Sequence, residues 1–378
     1  MNIDWTSEKS HILLNPALPT QTQSFLEKAV DEKSRFAGQI WLLSSGTTAN
    51  ENEFKLVALS KRALICSAKE VNRHIEATES DTWFNVLPLF HVGGLSILVR
   101  AFLSGASVVN GRIKKWSVTA FCQQLAESNS TLVSLVPTQV YDIVRSKINC
   151  PKKLRVAFVG GGSLSLELIN EAKKLGWPLL PTYGMTEACS QVATALLPSI
   201  DIFDVPQLHV LPHWQTKVDE ETQQLLLKGP SLLSAYLSIN SQQTTLYPHS
   251  PNEWFVTQDR VVLNKNIVSF LGRKGAKRKV LGELVDLNEL QSKWNSLALK
   301  ANLAPSASVL LAIPDSRKEN SVVVVFEKSN FEQIQACVDC FNQSVLPYEK
   351  ITHIYRVEDL PKTELGKISI KKTEQRIR

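Results

Sequence analysis

The sequence predicts an α/β fold, with a large N-terminal lobe containing a small β subdomain and a small α+β C-terminal lobe. Through the first half of the chain, short apolar runs of strand length alternate with helical patterns. Such alternation is typical of a doubly wound, mostly parallel sheet. Several of the runs stop at glycine, proline or hydroxyl residues. Polar residues collect after these stops, at the strand ends where open α/β sheets bind ligands.

A short extended lead and a predicted helix over 21–33 precede the first predicted strand, over 39–43. This strand is followed at once by hydroxyl residues around a glycine: Ser44, Ser45, Gly46, Thr47 and Thr48. Backbone N–H groups and hydroxyls in such a turn can form an anion site for a polyphosphate, and Lys55 could add a positive charge. Hydroxyl-rich turns are also common without any ligand.

The next predicted strand, over 83–87, ends before a histidine and a pair of glycines, His91, Gly93 and Gly94. His91 is either a packing or capping residue or part of a site at this strand end. Arg100 follows in an otherwise apolar helical pattern over 95–103. A charge there must reach solvent or meet a partner, so Arg100 is a candidate for a pocket anion.

Two further strands are predicted over 131–136 and 154–159, each followed by a helical pattern. The second strand ends in three consecutive glycines, Gly160, Gly161 and Gly162. Without side chains, these residues allow a flat ligand to approach the backbone closely.

The segment 181–187, Pro-Thr-Tyr-Gly-Met-Thr-Glu, predicts a buried strand that opens into a loop. It brings together an aromatic ring, a hydroxyl and a carboxylate: Tyr183, Gly184, Thr186 and Glu187. This set could stack a base, bind a phosphate and hold a divalent cation. Alone, the heptapeptide is equally compatible with an ordinary turn.

The remaining residues predict the two smaller units. Short strands over 225–228 and 267–270 indicate a small β subdomain at about 205–271. Residues 273–378 predict a mobile C-terminal lobe, so the large lobe spans 1–272. The elements of the C-terminal lobe are a helix over 288–299, strands over 308–313 and 321–326, a helix over 331–344 and a strand over 351–356.

The composition is that of a globular chain, with 43% apolar and 21% charged residues. The net charge of +6 comes from residues spread along the chain, which is weak support for nucleic-acid binding. The N-terminus lacks a signal-peptide pattern, and no apolar run is long enough to span a membrane. We therefore expect a cytoplasmic protein that has no membrane span and does not bind nucleic acid.

Seven motifs occur in the order and rough spacing of the adenylate-forming superfamily, which the chain resembles from about residue 39 onward. They are 44–48, 88–91, 160–162, 183–187, 257–260, 272–273 and 361–368. Within the superfamily, the chain is most similar to the o-succinylbenzoate:CoA ligases of menaquinone biosynthesis. Residues 87–94, Arg100 and 134–139 carry that closer similarity.

The resemblance implies an enzyme that activates a small carboxylic acid with ATP and Mg²⁺, forms an acyl-adenylate and transfers the acyl group to CoA. Residues 44–48, with Lys55, would hold the β- and γ-phosphates, and Thr186 the α-phosphate. Glu187 would bind Mg²⁺. The adenosine would contact Tyr183, Gly184, Gly160, Gly161, Gly162, Asp259 and Arg273.

For the acid itself, the resemblance implies that Lys367 reaches the carboxylate and the α-phosphate during adenylation. Arg100 would receive the second, unreacted carboxylate of o-succinylbenzoate. His91, Gly93 and Gly94 would line the acid site, with His91 also a catalytic candidate.

The sequence departs from the superfamily at three places. The phosphate loop lacks a glycine and a lysine that are usual and contains two carboxylates, Glu51 and Glu53, which face the triphosphate region or point to water. Gly275 replaces the hinge aspartate. The chain is also N-terminally shortened, which would leave apolar surface to be buried by a second subunit, as in a homodimer, or by a reduced architecture. Two alternatives stay open: a CoA ligase for another small aryl or acyl acid, and a catalytically silent nucleotide-binding homologue.

Overall fold

A computed structural model describes residues 3–44, 53–112, 116–162, 164–202, 204, 206–240, 242–274, 277–304, 306–315, 319–327, 331–363 and 366–377. The phosphate-loop candidates Ser45, Gly46, Thr47 and Thr48 lie outside these residues, as do Glu51 and the hinge residue Gly275.

The first elements form a helix-covered layer in which β1 pairs parallel with β2 and the other strands pair antiparallel. In chain order they are β1 (His11–Leu13), α1 (Thr20–Lys33), β2 (Gln39–Leu43), β3 (Phe54–Ser60) and α2 (Lys61–His74). The Ser60 side chain accepts a hydrogen bond from the Ala63 N–H and so caps α2. The predicted helix and strand are both present. However, β2 pairs antiparallel with β3 and takes no part in the parallel sheet.

A doubly wound parallel sheet follows, as predicted. Its strands and helices are β4 (Thr82–Asn85), α3 (Val92–Ser104), β5 (Ser107–Asn110), α4 (Val118–Glu127), β6 (Leu132–Leu135), α5 (Pro137–Arg145), β7 (Val156–Val159), α6 (Leu166–Lys174) and β8 (Leu179–Met185). Consecutive side chains of β4 show why both faces are covered. Trp83 packs in a core with α2 and α3, whereas Phe84 packs on the other face with α4, α5 and α6.

Antiparallel strands follow β8, and most of them extend this sheet. They are β9 (Ser190–Ala195), β10 (Leu208–Val210), β11 (Gln215–Val218), β12 (Gln224–Lys228), β13 (Ala235–Ile239), β14 (Thr244–Pro248), β15 (Phe255–Asn264) and β16 (Ile267–Arg273). The large sheet has the order β11-β12-β15-β16-β10-β9-β8-β7-β6-β4-β5. Strands β13 and β14 instead join the first layer, in the order β1-β2-β3-β13-β14. The strands of the region 205–271 thus extend two sheets.

The C-terminal residues form an α+β unit in the predicted order. Its elements are β17 (Lys277–Val280), β18 (Glu283–Asp286), α7 (Leu287–Lys300), β19 (Ser308–Asp315), β20 (Glu319–Glu327), α8 (Phe331–Ser344), β21 (His353–Val357) and α9 (Ile370–Ile377). Helices α7 and α8 share one core with β20. The hairpin β17–β18 and helix α9 were not predicted. Among the described residues, no helix has the length and apolar character needed to cross a membrane.

An ion pair between the buried Asp81 and the partly exposed Arg155, at the start of the parallel strands, makes the fold sensitive to acid. The Arg155 guanidinium donates two hydrogen bonds to Asp81, at 2.8 and 2.7 Å, and the Thr131 hydroxyl donates a third at 2.7 Å. Burial alone would raise the pKa of Asp81, but hydrogen bonds from Arg155, from the Thr78 N–H and from Thr131 lower it to about 2.

The low pKa of Asp81 defines the pH range over which the ion pair stabilises the fold. Its stabilisation is fully present above the ordinary value of 3.8 and is lost as the pH falls through about 2. Asp81→Asn should lower the Tm at neutral pH and flatten its dependence on pH in that acid range. Thermal melts against pH measure this, with Asp31→Asn, at an exposed position of α1, as control. An unchanged acid dependence in Asp81→Asn would contradict the assignment.

Candidate active site

The candidate site lies where β8 ends, beside β15 and β16. Tyr183 donates a hydrogen bond from its hydroxyl to Asp259 Oδ2 at 2.8 Å, and Arg273 Nε donates one to Oδ1 at 2.9 Å. The Asp259 side chain is buried, whereas the Arg273 guanidinium is largely exposed. Burial first, and then the Asp259 charge, raises the pKa of Tyr183, so its hydroxyl remains a donor. A carboxylate, a cation and an aromatic ring thus meet at one strand end.

Lys367 reaches this cluster from the C-terminal unit. Its Nζ lies 3.6 Å from the point where a Cβ on Gly161 would stand. The pKa of Lys367 is lowered by burial and by the charge of Arg273, and Asp259 opposes that shift. Lys367 is nevertheless exposed to solvent. The neighbouring Gly366 contacts Thr138 of α5, where a Cβ would lie 3.2 Å from Oγ1.

The three consecutive glycines leave little room for side chains at the end of β7. A Cβ on Gly160 would lie 3.0 Å from Thr182 Cγ2, and one on Gly162 would lie 3.3 Å from Pro137 Cγ. Gly161 has a φ of +79°. A side chain at Gly160 or Gly162 would therefore crowd Thr182 or Pro137, and one at Gly161 would strain the backbone beside Lys367.

Gly184 is fixed by an unusual contact with the following strand. A Cβ at this position would lie 1.7 Å from the Ser190 carbonyl oxygen. Ser190 itself has a φ of +114°, and Cys189 has a φ of +52°. Strained backbone of this kind persists only where the surrounding structure holds it, and it is concentrated at functional sites.

Arg100 is buried next to Ser190, whose backbone is strained. It is 1% exposed and donates a hydrogen bond from NH2 to Ser190 Oγ at 3.1 Å. Its guanidinium carbon lies 5.7 Å from the ring centroid of Trp83 and 5.4 Å from that of Phe158. Within the described part of the chain, no carboxylate pairs with it, and its Nε–H is buried without an acceptor. Desolvation lowers its pKa.

His91, Gly93 and Gly94 shape the start of α3. His91 occupies the N-cap position, and its ring lies 4.8 Å from that of Phe90. A Cβ on Gly94 would stand 2.3 Å from the Pro88 carbonyl oxygen, and one on Gly93 would lie 3.2 Å from Leu87 Cδ1. Both glycines thus have a packing role, independent of any ligand.

Glu187 lies in a short 3-10 helix, Thr186–Ala188, directly after β8. Its Oε1 accepts a hydrogen bond of 2.9 Å from the Tyr236 hydroxyl. Lys55 Nζ lies 3.5 Å from the centroid of the Tyr236 ring. The Ser44 N–H donates to the Lys55 carbonyl at 2.8 Å, so these two residues close the base of the phosphate-loop segment.

Three residues of this site were missed: Tyr236, Ser190 and Phe270. The Phe270 ring is half exposed and lies 6.1 Å from that of Tyr183. The alternation of β13 was a usable signal for Tyr236, since it places Tyr236 and Ser238 on the less buried face. No local pattern indicated Ser190.

Comparison with known proteins identifies the family. The sequence profile of the AMP-binding enzyme family matches residues 17–237, which is more than half of the chain. The chain belongs to this family. The adenylate-forming resemblance is thereby confirmed.

Named members of the AMP-binding enzyme family align with the chain over part of their length. A 2-succinylbenzoate–CoA ligase of Bacillus subtilis is 29% identical over 207 residues, which are 52% of this chain and 41% of that protein. The ligase of the same name from Enterococcus faecalis is 26% identical over 342 residues, covering 87% of this chain and 67% of that protein. The matched region is thus about two fifths of the first relative's length and two thirds of the second's.

Solved structures share the fold. The B. subtilis o-succinylbenzoate CoA synthetase (MenE) in complex with the acyl-adenylate intermediate OSB-AMP has a TM-score of 0.76 at 20% identity. The match covers 98% of this chain and 83% of that one. The same enzyme with ATP and magnesium ion gives 0.75 at 21% identity, covering 96% and 83%. The predicted fold class is confirmed.

Proposed function

We propose that this protein is an ATP-dependent ligase that converts o-succinylbenzoate and CoA to o-succinylbenzoyl-CoA through an acyl-adenylate, in menaquinone biosynthesis. The observation that carries this proposal is the position of Lys367. Although it belongs to the C-terminal unit, it lies beside Gly161 and within electrostatic reach of Asp259 and Arg273. The names of the relatives, and the ligands of the similar structures, support the same reaction.

The first half-reaction brings two anions together, the carboxylate of the acid and the α-phosphate of ATP. Positive and donor groups must offset their repulsion while the carboxylate oxygen attacks and pyrophosphate leaves. In our proposal, Lys367 contacts both anions and Thr186 donates to the α-phosphate. Tyr183 and the glycines 160–162 enclose the adenine, Asp259 accepts hydrogen bonds from the ribose, and the exposed part of the Arg273 guanidinium contacts ribose or phosphate.

Glu187 fits the role of the magnesium ligand. Tyr236 occupies Oε1, and no lysine or arginine among the described residues forms an ion pair with this carboxylate. The described residues contain no cluster of three His, Cys, Asp or Glu side chains that could hold a metal. A single carboxylate is nevertheless sufficient for Mg²⁺, which takes its remaining ligands from phosphates and water. When bound, the ion neutralises charge on the phosphate oxygens.

Arg100 is our candidate for recognising the second carboxylate of the acid. A buried guanidinium with an unsatisfied Nε–H costs free energy unless an anion meets it. Its hydrogen bond to Ser190 connects it to the segment that follows Glu187. We therefore place the succinyl end of the acid between Arg100, His91 and Ser190.

Transfer to CoA requires Lys367 to withdraw, because the thiol must reach the carbonyl that this lysine covers. We propose that residues 273–378 move as a lobe against residues 1–272. Polar contacts between described residues cross the boundary. They include an Arg260–Asp286 ion pair at 2.7 Å and a hydrogen bond of 2.6 Å from Arg145 to Asn302. Such contacts can be exchanged during a lobe rotation.

Pyrophosphate release tests the proposal. The protein is mixed with MgATP and one acid at a time: o-succinylbenzoate, benzoate, a fatty acid or no acid. We expect release with o-succinylbenzoate and little with the monocarboxylates, because only a dicarboxylate satisfies Arg100. Preferential release with a monocarboxylate would favour a ligase for another small acid. Binding of ATP without release for any acid would favour a silent nucleotide-binding homologue.

We further propose that the protein acts in the cytoplasm, where ATP and CoA are supplied. The predicted homodimer stays a prediction, which sedimentation of the protein would check.

A further inference from the structure

A tyrosine outside the predicted site connects the magnesium candidate with the lysine nearest to the phosphate loop. The Tyr236 hydroxyl donates to Glu187 Oε1 at 2.9 Å, and the face of its ring lies 3.5 Å from Lys55 Nζ. One side chain thus contacts both charged groups, which are 132 positions apart in the sequence.

The strand register fixes this arrangement. Strands β3 and β13 pair antiparallel, with Lys55 opposite Ser238 and Tyr236 opposite Val57. Lys55 and Tyr236 are therefore diagonal neighbours on one face of the sheet, within reach of long side chains. The Leu233 N–H donates to the Glu187 carbonyl at 2.8 Å, which anchors the 3-10 helix next to the same strand.

The charges around the phosphate loop indicate a role for Lys55. The sequence between Ser44 and Lys55 contains Glu51 and Glu53 but no lysine or arginine. Lys55 is therefore the first positive residue after the loop. An aromatic face holds an ammonium group without neutralising its charge, so Lys55 remains able to attract a phosphate.

The hydroxyl of Tyr236 is suited to orient a metal-binding carboxylate. By occupying Oε1 it leaves Oε2 of Glu187 for a cation. Partners that orient metal ligands commonly change metal affinity by about 10- to 100-fold when they are removed.

We propose that Tyr236 is a positioning residue for MgATP, with its hydroxyl orienting Glu187 toward the metal and its ring directing Lys55 toward the β- and γ-phosphates. This inference rests on the proposed function, because it requires MgATP to bind at this site. It adds Tyr236 to the site. This tyrosine links Glu187, the proposed metal ligand, to Lys55, which substitutes for the lysine missing from the phosphate loop.

Calorimetric titrations of the full chain test the inference without relying on turnover. ATP is titrated with Mg²⁺ and with EDTA, and AMP serves as the ligand that lacks the β- and γ-phosphates. Two variants separate the two contacts: Tyr236→Phe keeps the ring and removes the hydroxyl, and Tyr236→Leu removes both. Tyr247→Phe is the matched control, since Tyr247 is directly opposite Tyr236 on β14 and is half exposed.

The measured quantity is the ratio of the ATP affinity with Mg²⁺ to the ATP affinity with EDTA. We expect Tyr236→Phe to reduce this ratio about tenfold. Its affinities for AMP and for metal-free ATP should equal those of the wild type. Tyr236→Leu should also weaken metal-free ATP, by roughly two- to fivefold, because Lys55 loses its aromatic support. Tyr247→Phe should behave as the wild type in all titrations.

Three results would overturn the inference. An unchanged Mg²⁺ effect in Tyr236→Phe would refute the hydroxyl's role while leaving the proposed function intact. Equal losses for AMP and ATP, accompanied by a lower Tm, would show that Tyr236 only packs the core. Failure of the wild type to bind ATP at all would remove the proposed function together with this inference.

Discussion

Replacing Lys367 with alanine should abolish acyl-adenylate formation while leaving CoA transfer from a supplied adenylate largely intact. The ammonium group lies beside Gly161, next to the Asp259 and Arg273 charges, where it can contact both reacting anions. Removing one preorganised donor to a developing charge typically costs about 10²- to 10³-fold in rate. In the second half-reaction the α-phosphate departs as part of AMP, so this lysine is no longer needed.

The two half-reactions can be measured separately. Single-turnover formation of the adenylate reports the first, and consumption of chemically prepared o-succinylbenzoyl-AMP with CoA reports the second. Lys372→Ala, at an exposed position of α9, is the control for loss of a nearby positive charge. If both half-reactions slowed equally in Lys367→Ala, or neither did, the role assigned to Lys367 would be wrong.

Replacing Arg100 should weaken o-succinylbenzoate selectively. A hydrogen bond to a charged group is typically worth ~1.5–3 kcal/mol, or roughly one to two orders of magnitude in kcat/KM. Arg100→Ala should lose that amount for o-succinylbenzoate and leave the KM for ATP near its original value. The kcat/KM for an analogue without the second carboxylate should be the same in Arg100→Ala as in the wild type. Arg100→Lys should recover only part of the loss, because an ammonium lacks the planar fork of the guanidinium.

The competing explanation is that Arg100 supports the fold. It already donates to Ser190 and lies beside the stacked rings of Trp83 and Phe158. Arg100→Met separates the two explanations, because it fills similar space without the charge. Since no described carboxylate pairs with Arg100, we expect the Met variant to keep or raise the Tm. A lower Tm with equal losses for both acids would contradict substrate recognition by Arg100.

The parallel sheet could be predicted because its signals are local. Each strand of 83–87, 131–136 and 154–159 is a short apolar run that ends at a glycine or proline before a helical pattern. The pairing of β2 with β3 could not be predicted in the same way. Residues 53–55 were interpreted as the end of a phosphate loop, and the strand that begins at Phe54 is revealed by its partners β2 and β13.

The residues of the candidate site also divide into those that local patterns predict and those that they do not. The glycines 160–162 and the segment 181–187 were found from composition and position. Contacts between distant segments needed more than local patterns: Lys367 could be linked to Gly161 only through the family resemblance, and the bond from Tyr236 to Glu187 could not be predicted at all. Arg100 was predicted to need a partner because a charge in an apolar helix is costly, and its burial beside Ser190 agrees with that reasoning.

The central claim is tested most directly by identifying the products of the complete reaction. The wild-type protein is incubated with o-succinylbenzoate, ATP, Mg²⁺ and CoA. The products are then separated, identified by mass spectrometry and quantified. The account predicts o-succinylbenzoyl-CoA and AMP in equal amounts, with the o-succinylbenzoyl-adenylate accumulating when CoA is left out. Release of ADP in place of AMP, or absence of the thioester from a protein that binds MgATP, would contradict it.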